Sequence, residues 1–187
     1  KEEDFIEKVL SVNSHSLLMM FTNTGKVHCI KAYMIPEAGR TAKGTYLANV
    51  LQLADGEKVT TIISIDAFSE GEHLTMVTKN GVIKRTALPE FEYQRKGGKI
   101  AITLDEGDEL AWVQRTDGYQ QLLVATRRGM AICFDENDAR VIGRTARGVR
   151  AITLGDGDEV VGMELYDPEK LLLTVTETGY GRLSEFT

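Results

Sequence analysis

The sequence predicts an all-β, propeller-like array of four-stranded units, and three observations predict it. Four segments, LLMMFTNTGKVHCI (17–30), HLTMVTKNGVIKRT (73–86), QLLVATRRGMAICF (121–134) and KLLLTVTETGYGRLS (170–184), each carry an apolar run into Thr-x-x-Gly and a second strand-like run out of it. Their glycines, Gly25, Gly81, Gly129 and Gly179, stand 56, 48 and 50 residues apart. A second landmark, Leu53, Leu104 and Leu154 followed by ADGEKV, DEGDEL and GDGDEV, recurs at 51 and 50 residues. Two independent landmarks at one period mark a repeat, and a period near fifty with no long i, i+3, i+4, i+7 stripe marks stacked β units rather than helical ones.

Within each unit the elements follow from local chemistry. A glycine between two apolar runs accepts the positive φ of a tight strand connection, so Thr-x-x-Gly reads as a hairpin tip, with Asn80-Gly81 the strongest case. The acidic Gly-containing turns mark a second connection. In the second unit the strands are expected at Val59–Ile65, Leu74–Thr78, Val82–Thr86 and Ile100–Leu104. Units of this kind bury their faces only against neighbours. The chain is therefore expected to be one domain over 1–187, with units at about 5–53, 58–104, 109–154 and 159–187, the last incomplete, cut from a longer array.

Composition narrows the function. The 187 residues carry 22 Lys and Arg against 28 Asp and Glu, a net charge of -6, which argues against bulk non-specific binding of nucleic acid and confines any polyanion site to a local patch. No apolar run reaches the roughly 20 residues of a membrane span, and Lys1-Glu2-Glu3-Asp4 is no signal peptide, so a cytoplasmic location with no membrane partner is expected. Cys29 and Cys133 both stand four residues after a hairpin glycine, in non-adjacent units, and are expected to be buried thiols held apart.

The cations gather in one place in each unit. Between the hairpin and the last strand lie GRTAKG (39–44), QRKGGK (94–99) and GRTARG (143–148), the last followed by Val149-Arg150. Glycines free the backbone N–H groups to form a cradle, and flanking cations suit phosphate, so a row of such loops fits a duplex lying across the units. The candidate DNA-binding residues are Arg40, Lys43, Arg95, Lys96, Lys99, Arg144, Arg147 and Arg150, with Lys84 and Arg85 on the adjoining strand as weaker candidates. The acidic turns at 105–109 and 156–159 are expected on a different edge.

Catalytic signatures fail one by one. Tyr93 stands where a P-loop needs its first glycine, and Ile100 follows Lys99 where it needs Ser or Thr. His15, His28 and His73 lack metal-ligand spacing, and DEGDE (105–109) lacks the twelve-residue calcium loop. Trp112, Phe21, Tyr33 and Phe134 fit core packing better than base stacking. No catalytic residue, metal or cofactor is expected.

The segments FTNTGKVHCIKAYMIPEAGRTAKG, VTKNGVIKRTALPEF and GRTARGVRAITLGDGDEVVGMELYDPEKLLLTVTETGYGRLSEF resemble the DNA gyrase A C-terminal domain, and the likeness runs over essentially the whole chain. The resemblance implies a β-pinwheel, a propeller-like ring of blades that bends duplex DNA around a basic perimeter to support negative supercoiling, in partnership with the rest of gyrase A and, through it, gyrase B. The family's gyrase box reads Gln-Arg-Arg-Gly-Gly-Lys-Gly. Residues 94–99 are similar to it, with Lys96 at the second Arg and Ile100 in place of the last glycine, but they fall in the second unit, which implies that the first blade precedes Lys1. Two other readings stand beside this one: the related domain of topoisomerase IV, and a protein-binding propeller, for which the net charge is the best support.

Overall fold

The computed structural model describes residues 12–35, 50–93, 97–169, 172–175 and 181–184. Three hairpins occupy the first three Thr-x-x-Gly segments: β1 (Leu17–Thr22) with β2 (Lys26–Lys31), β4 (His73–Thr78) with β5 (Val82–Ala87), and β8 (Gln121–Thr126) with β9 (Ala131–Asp135). Gly25, Gly81 and Gly129 hold equivalent turns, at φ of 82°, 83° and 83°. The threonine of the motif has a role of its own. Thr78 O accepts from Gly81 N and its Oγ1 from Val82 N, and Thr126 repeats both bonds with Gly129 and Met130, so one residue closes each tip twice. Gly179 lies outside the described residues, between β12 (Leu172–Val175) and β13 (Gly181–Ser184), which pair antiparallel.

The grouping of strands differs from the sequence reading. β3 (Val59–Ile65), read as the first strand of the second unit, pairs with β1. β6 (Lys99–Ile100), read as the last strand of that unit, pairs with β2, so the first sheet runs β3-β1-β2-β6. The second sheet repeats the plan as β10-β5-β4-β7, with β7 at Leu110–Thr116 and β10 at Val149–Arg150. The third contains β11 (Val160–Leu165), β8 and β9. The first two hairpins are thus completed from both sides by the unit that follows, and among the described residues the third is completed from one side, by β11. The long-range attachment uses one bond pattern: Gly25 O accepts from Ala101 N and Ile102 N, and Gly81 O accepts from Ala151 N and Ile152 N.

The sheets stack face to face, which alternation along the strands makes possible. On β1, Met19 and Phe21 face the second sheet, while Leu18 and Met20 turn to a separate cluster with Leu51. On β4 and β5, Leu74 and Met76 join Phe21, whereas Val77 and Ile83 pack with Leu122, Val124 and Met163 of the third sheet. The middle sheet is buried on both faces. Ile102 and Ile152 lie over the hairpin glycines: a Cβ on Gly81 would stand 2.9 Å from Ile152, while a Cβ on Gly129 meets nothing within 4 Å. Gly81→Ala is accordingly expected to cost about 2 kcal/mol or more, and Gly129→Ala about 1 kcal/mol, in chemical denaturation. Equal costs would contradict this packing.

Two smaller expectations change. Cys29 is half-buried and Cys133 exposed, and neither forms a disulfide. Tyr33 is 65% exposed and takes no part in the core. No helix among the described residues is long and apolar enough to cross a membrane.

Candidate nucleic-acid interface

Strand exchange brings consecutive Gly/cation loops into contact. The segment 97–103 runs from the end of the 94–99 loop into the edge of the first sheet, and 143–148 leads into β10 of the second. Thr103 N donates to Ala146 O, Thr103 Oγ1 to Thr145 O at 2.7 Å, and the Arg144 guanidinium to Ile100 O. Arg144 N donates to Glu90 Oε2 at 2.9 Å, from the 3-10 turn Leu88–Phe91 that follows β5. The two loops form one cross-tied surface. Gly148, at φ +95°, shows why glycine closes the second loop: a Cβ there would stand 2.6 Å from Ile83 O. Gly98 in the 94–99 loop lies close on the His28 ring, where a Cβ would stand 2.8 Å from Cε1.

An open cleft of about 550 Å³ lies between the loops, lined by Lys26, Lys99, Arg144, Thr145, Glu90 and Tyr93. Lys99 is half-buried with its Nζ 6.0 Å from the Tyr93 ring centroid, and Arg144 is half-buried. Arg147 and Arg150 are exposed. Lys26 is a cation the sequence reading missed. It pairs with Ile100 across the β2–β6 ladder, a neighbourhood that no local signal around residue 26 announces.

Of the remaining candidates, four are not described by the structure and two differ from expectation. Arg40, Lys43, Arg95 and Lys96 lie outside the described residues, as does Gln94. Lys84 and Arg85 are 1% and 4% exposed and are not solvent-facing cations. Lys84 Nζ donates to Ala101 O at 2.7 Å and to Arg144 O, beneath both loops. Arg85 Nη1 donates to Asn137 Oδ1 at 3.1 Å, and its backbone carbonyl accepts from Ile142 N, so it packs the chain leading into the 143–148 loop.

Nor are the acidic turns wholly segregated. Asp105 pairs with Arg147 at 2.7 Å, both largely exposed, an interaction of about 0–1 kcal/mol that a phosphate can displace. Elsewhere the acidic turns serve the hairpin tips. Asp108 Oδ1 accepts from Asn80 N and Asp158 Oδ1 from Arg128 N, while Glu109 pairs with Lys79 and Glu159 with Arg127, each at 2.7 Å. The hydrogen bond from Lys79 holds the Glu109 carboxyl below its ordinary value and raises that of Lys79.

Two buried polar groups occupy the same hairpin position, three residues after the glycine. His28 Nε2 lies 2.9 Å from Glu57 Oε1. Burial pushes the Glu57 carboxyl up, but its bonds with His28 and Ala54 N outweigh burial and leave it below the usual carboxylate range. Lys84 is lowered to about 8, first by burial and then by the Arg144 charge, with Glu90 opposing. Lysine is more protonated when unfolded, so stability from this group is flat below pH 8 and rises between about 8 and 10.5 as the folded state alone sheds its proton. The stability of wild type relative to Lys84→Met, read from urea midpoints, is expected to increase over that window. A constant difference would place the titration elsewhere.

Among the described residues no group of three His, Cys, Asp or Glu side chains converges as a metal site. What the arrangement offers is a cleft with cations on two adjoining, rigidly tied loops. The chain matches the family described as "DNA gyrase C-terminal domain, beta-propeller" over residues 16–66, 72–117 and 120–167. It is 49% identical over 149 residues, 80% of this chain, to the DNA gyrase A protein of Halalkalibacterium halodurans, and 40% identical over 182 residues, 97% of this chain, to that of Escherichia coli. It spans 18% and 21% of those two proteins. Among solved structures it overlays a topoisomerase IV C-terminal domain with a TM-score of 0.86 (27% identity, 93% of this chain, 55% of that one) and a gyrase A C-terminal domain with 0.74 (27% identity, 94% and 58%). The exchanged sheets are those of the β-pinwheel that the resemblance implied, and the chain belongs to the DNA gyrase A C-terminal domain family.

Proposed function

We propose that this domain binds duplex DNA by its phosphate backbone along the Gly/cation loops and wraps it to support ATP-dependent negative supercoiling by gyrase. The observation that carries the reading is the cross-tied pair of loops, which holds Lys99, Arg144, Arg147 and Arg150 on adjoining segments of successive sheets. Arg40, Lys43, Arg95 and Lys96 extend the set by their place in the repeat. Phosphate contacts of this kind position a duplex without reading its sequence. The domain is a non-catalytic part of a bacterial, cytoplasmic type IIA topoisomerase, joined to the rest of gyrase A and through it to gyrase B.

The test is a duplex titration over a range of salt concentrations. Log K should fall linearly with log salt, with a slope of about −0.9 for each phosphate contacted and little sequence preference. Salt-insensitive or strongly sequence-specific affinity counts against the reading and favours a protein-binding surface. The overlay on the topoisomerase IV domain favours a second version, in which DNA is engaged without a full wrap. Supercoiling as against decatenation by the intact enzyme separates the two.

A further inference from the structure

We infer that Lys84 is a positioning residue that staples consecutive DNA-binding loops together from beneath, and that it makes no contact with DNA; the inference rests on the duplex-binding function proposed for those loops. β5 pairs Met76 with Lys84 and Val77 with Ile83, so Met76 and Lys84 project from one face and Val77 and Ile83 from the other. Met76 packs with Phe21 and Ile102, while Ile83 packs towards the third sheet. Lys84 therefore points at the seam where the first sheet's outer strand passes over the second sheet. There its ammonium meets Ala101 O, just after β6, and Arg144 O, in the loop that feeds β10. One donor group holds two loops whose residues are 43 apart in sequence.

The environment fits a staple better than a ligand contact. An ammonium has three donors and no acceptor, and two of the three are used, by the buried Ala101 carbonyl and the part-buried Arg144 carbonyl. The residue is 1% exposed, and Gly148 closes over it, since a Cβ there would lie 3.2 Å from Lys84 Cβ. The cations that reach the surface stand on the backbone Lys84 secures: Arg144 on the bonded carbonyl itself, Lys99 two residues before Ala101, Arg147 three residues after Arg144. His28, in the equivalent place one sheet earlier, lies under Gly98 but bonds Glu57, so that hairpin supports its loop by packing.

The decisive comparison sets Lys84→Met, which keeps an unbranched apolar stem one atom shorter and removes the donors, beside Arg147→Gln, which removes a proposed phosphate contact. Arg147→Gln should lower the salt slope of duplex affinity by about one. Lys84→Met should weaken affinity about tenfold with the slope unchanged, and speed exchange of the Thr103 amide, which bridges the loops to Ala146 O, at least tenfold. A slope lowered by one in Lys84→Met would make Lys84 a direct contact and overturn the proposal. Unchanged affinity and unchanged Thr103 exchange would overturn it equally. Should the variant fail to fold, reductive methylation of the wild type decides. Lys84 should resist labelling with and without duplex while exposed Lys58 reacts; labelling that duplex suppresses would sink the staple. If the wild type binds no duplex, the DNA reading falls, and Thr103 exchange judges the staple by itself.

Discussion

Reversing Arg144 and Arg147 together, as Arg144→Glu with Arg147→Glu, is expected to weaken duplex binding by on the order of 100-fold at about 0.1 M salt. Each phosphate contact makes log K fall by about 0.9 per decade of salt, so relative to 1 M salt a contact is worth roughly tenfold at 0.1 M. Two contacts multiply, and reversal adds repulsion of the remaining phosphates. Arg144→Glu gives up the guanidinium bond to Ile100 O, but Arg144 N still donates to Glu90, Lys84 to Arg144 O and Thr103 to Thr145 O and Ala146 O, so the loops stay tied. The Arg147 change also breaks an exposed pair with Asp105, which contributes little to folding. Thermal melting should stay near wild type. The comparison is a double reversal at exposed Glu106 and Asp156, which sit in the acidic turns. An equal loss of affinity there, with both proteins folded, would rule out the basic strip.

Phe21→Ala is expected to cost about 3–5 kcal/mol, a large share of the 5–15 kcal/mol typical of a domain's total stability. Phe21 is fully buried on β1, where it meets Phe91 edge to face with centroids 6.4 Å apart and planes at 71°. Phe91 belongs to the turn after β5, so the pair ties the first sheet to the second. Truncation leaves a cavity that sheets held by ladders on both sides cannot collapse to fill. The urea midpoint should fall well below that of wild type, with loss of cooperativity between the sheets. A change under about 1 kcal/mol would mean that the two sheets are not joined through this cluster.

How much was legible in the sequence differs by element. The hairpins were, because Thr-x-x-Gly encodes its own turn: the threonine carbonyl and hydroxyl close the tip, and glycine takes the positive φ. The acidic turns were legible as turns for the same reason, although their carboxylates proved to serve the hairpin tips. The interface was legible only in part. Recurrence picked out the loops, but Lys26 was overlooked because its place beside Ile100 depends on a strand from the next unit.

The sequence by itself determined the hairpins, the period and the position of the cationic loops, since each is written in a few adjacent residues. Only the tertiary structure decided which sheet each flanking strand joins and which cations face solvent. Backbone pairing of β2 with β6 or β5 with β10 is chosen by the stacking of whole sheets, for which the participating two-residue strands carry no local signal. The same stacking explains Lys84 and Arg85. In IKRT, with Ile83 buried, a one-sided strand would turn Lys84 to water, but this strand lies between two other sheets and is buried on both faces, so a lysine that reads as a surface cation becomes a buried staple.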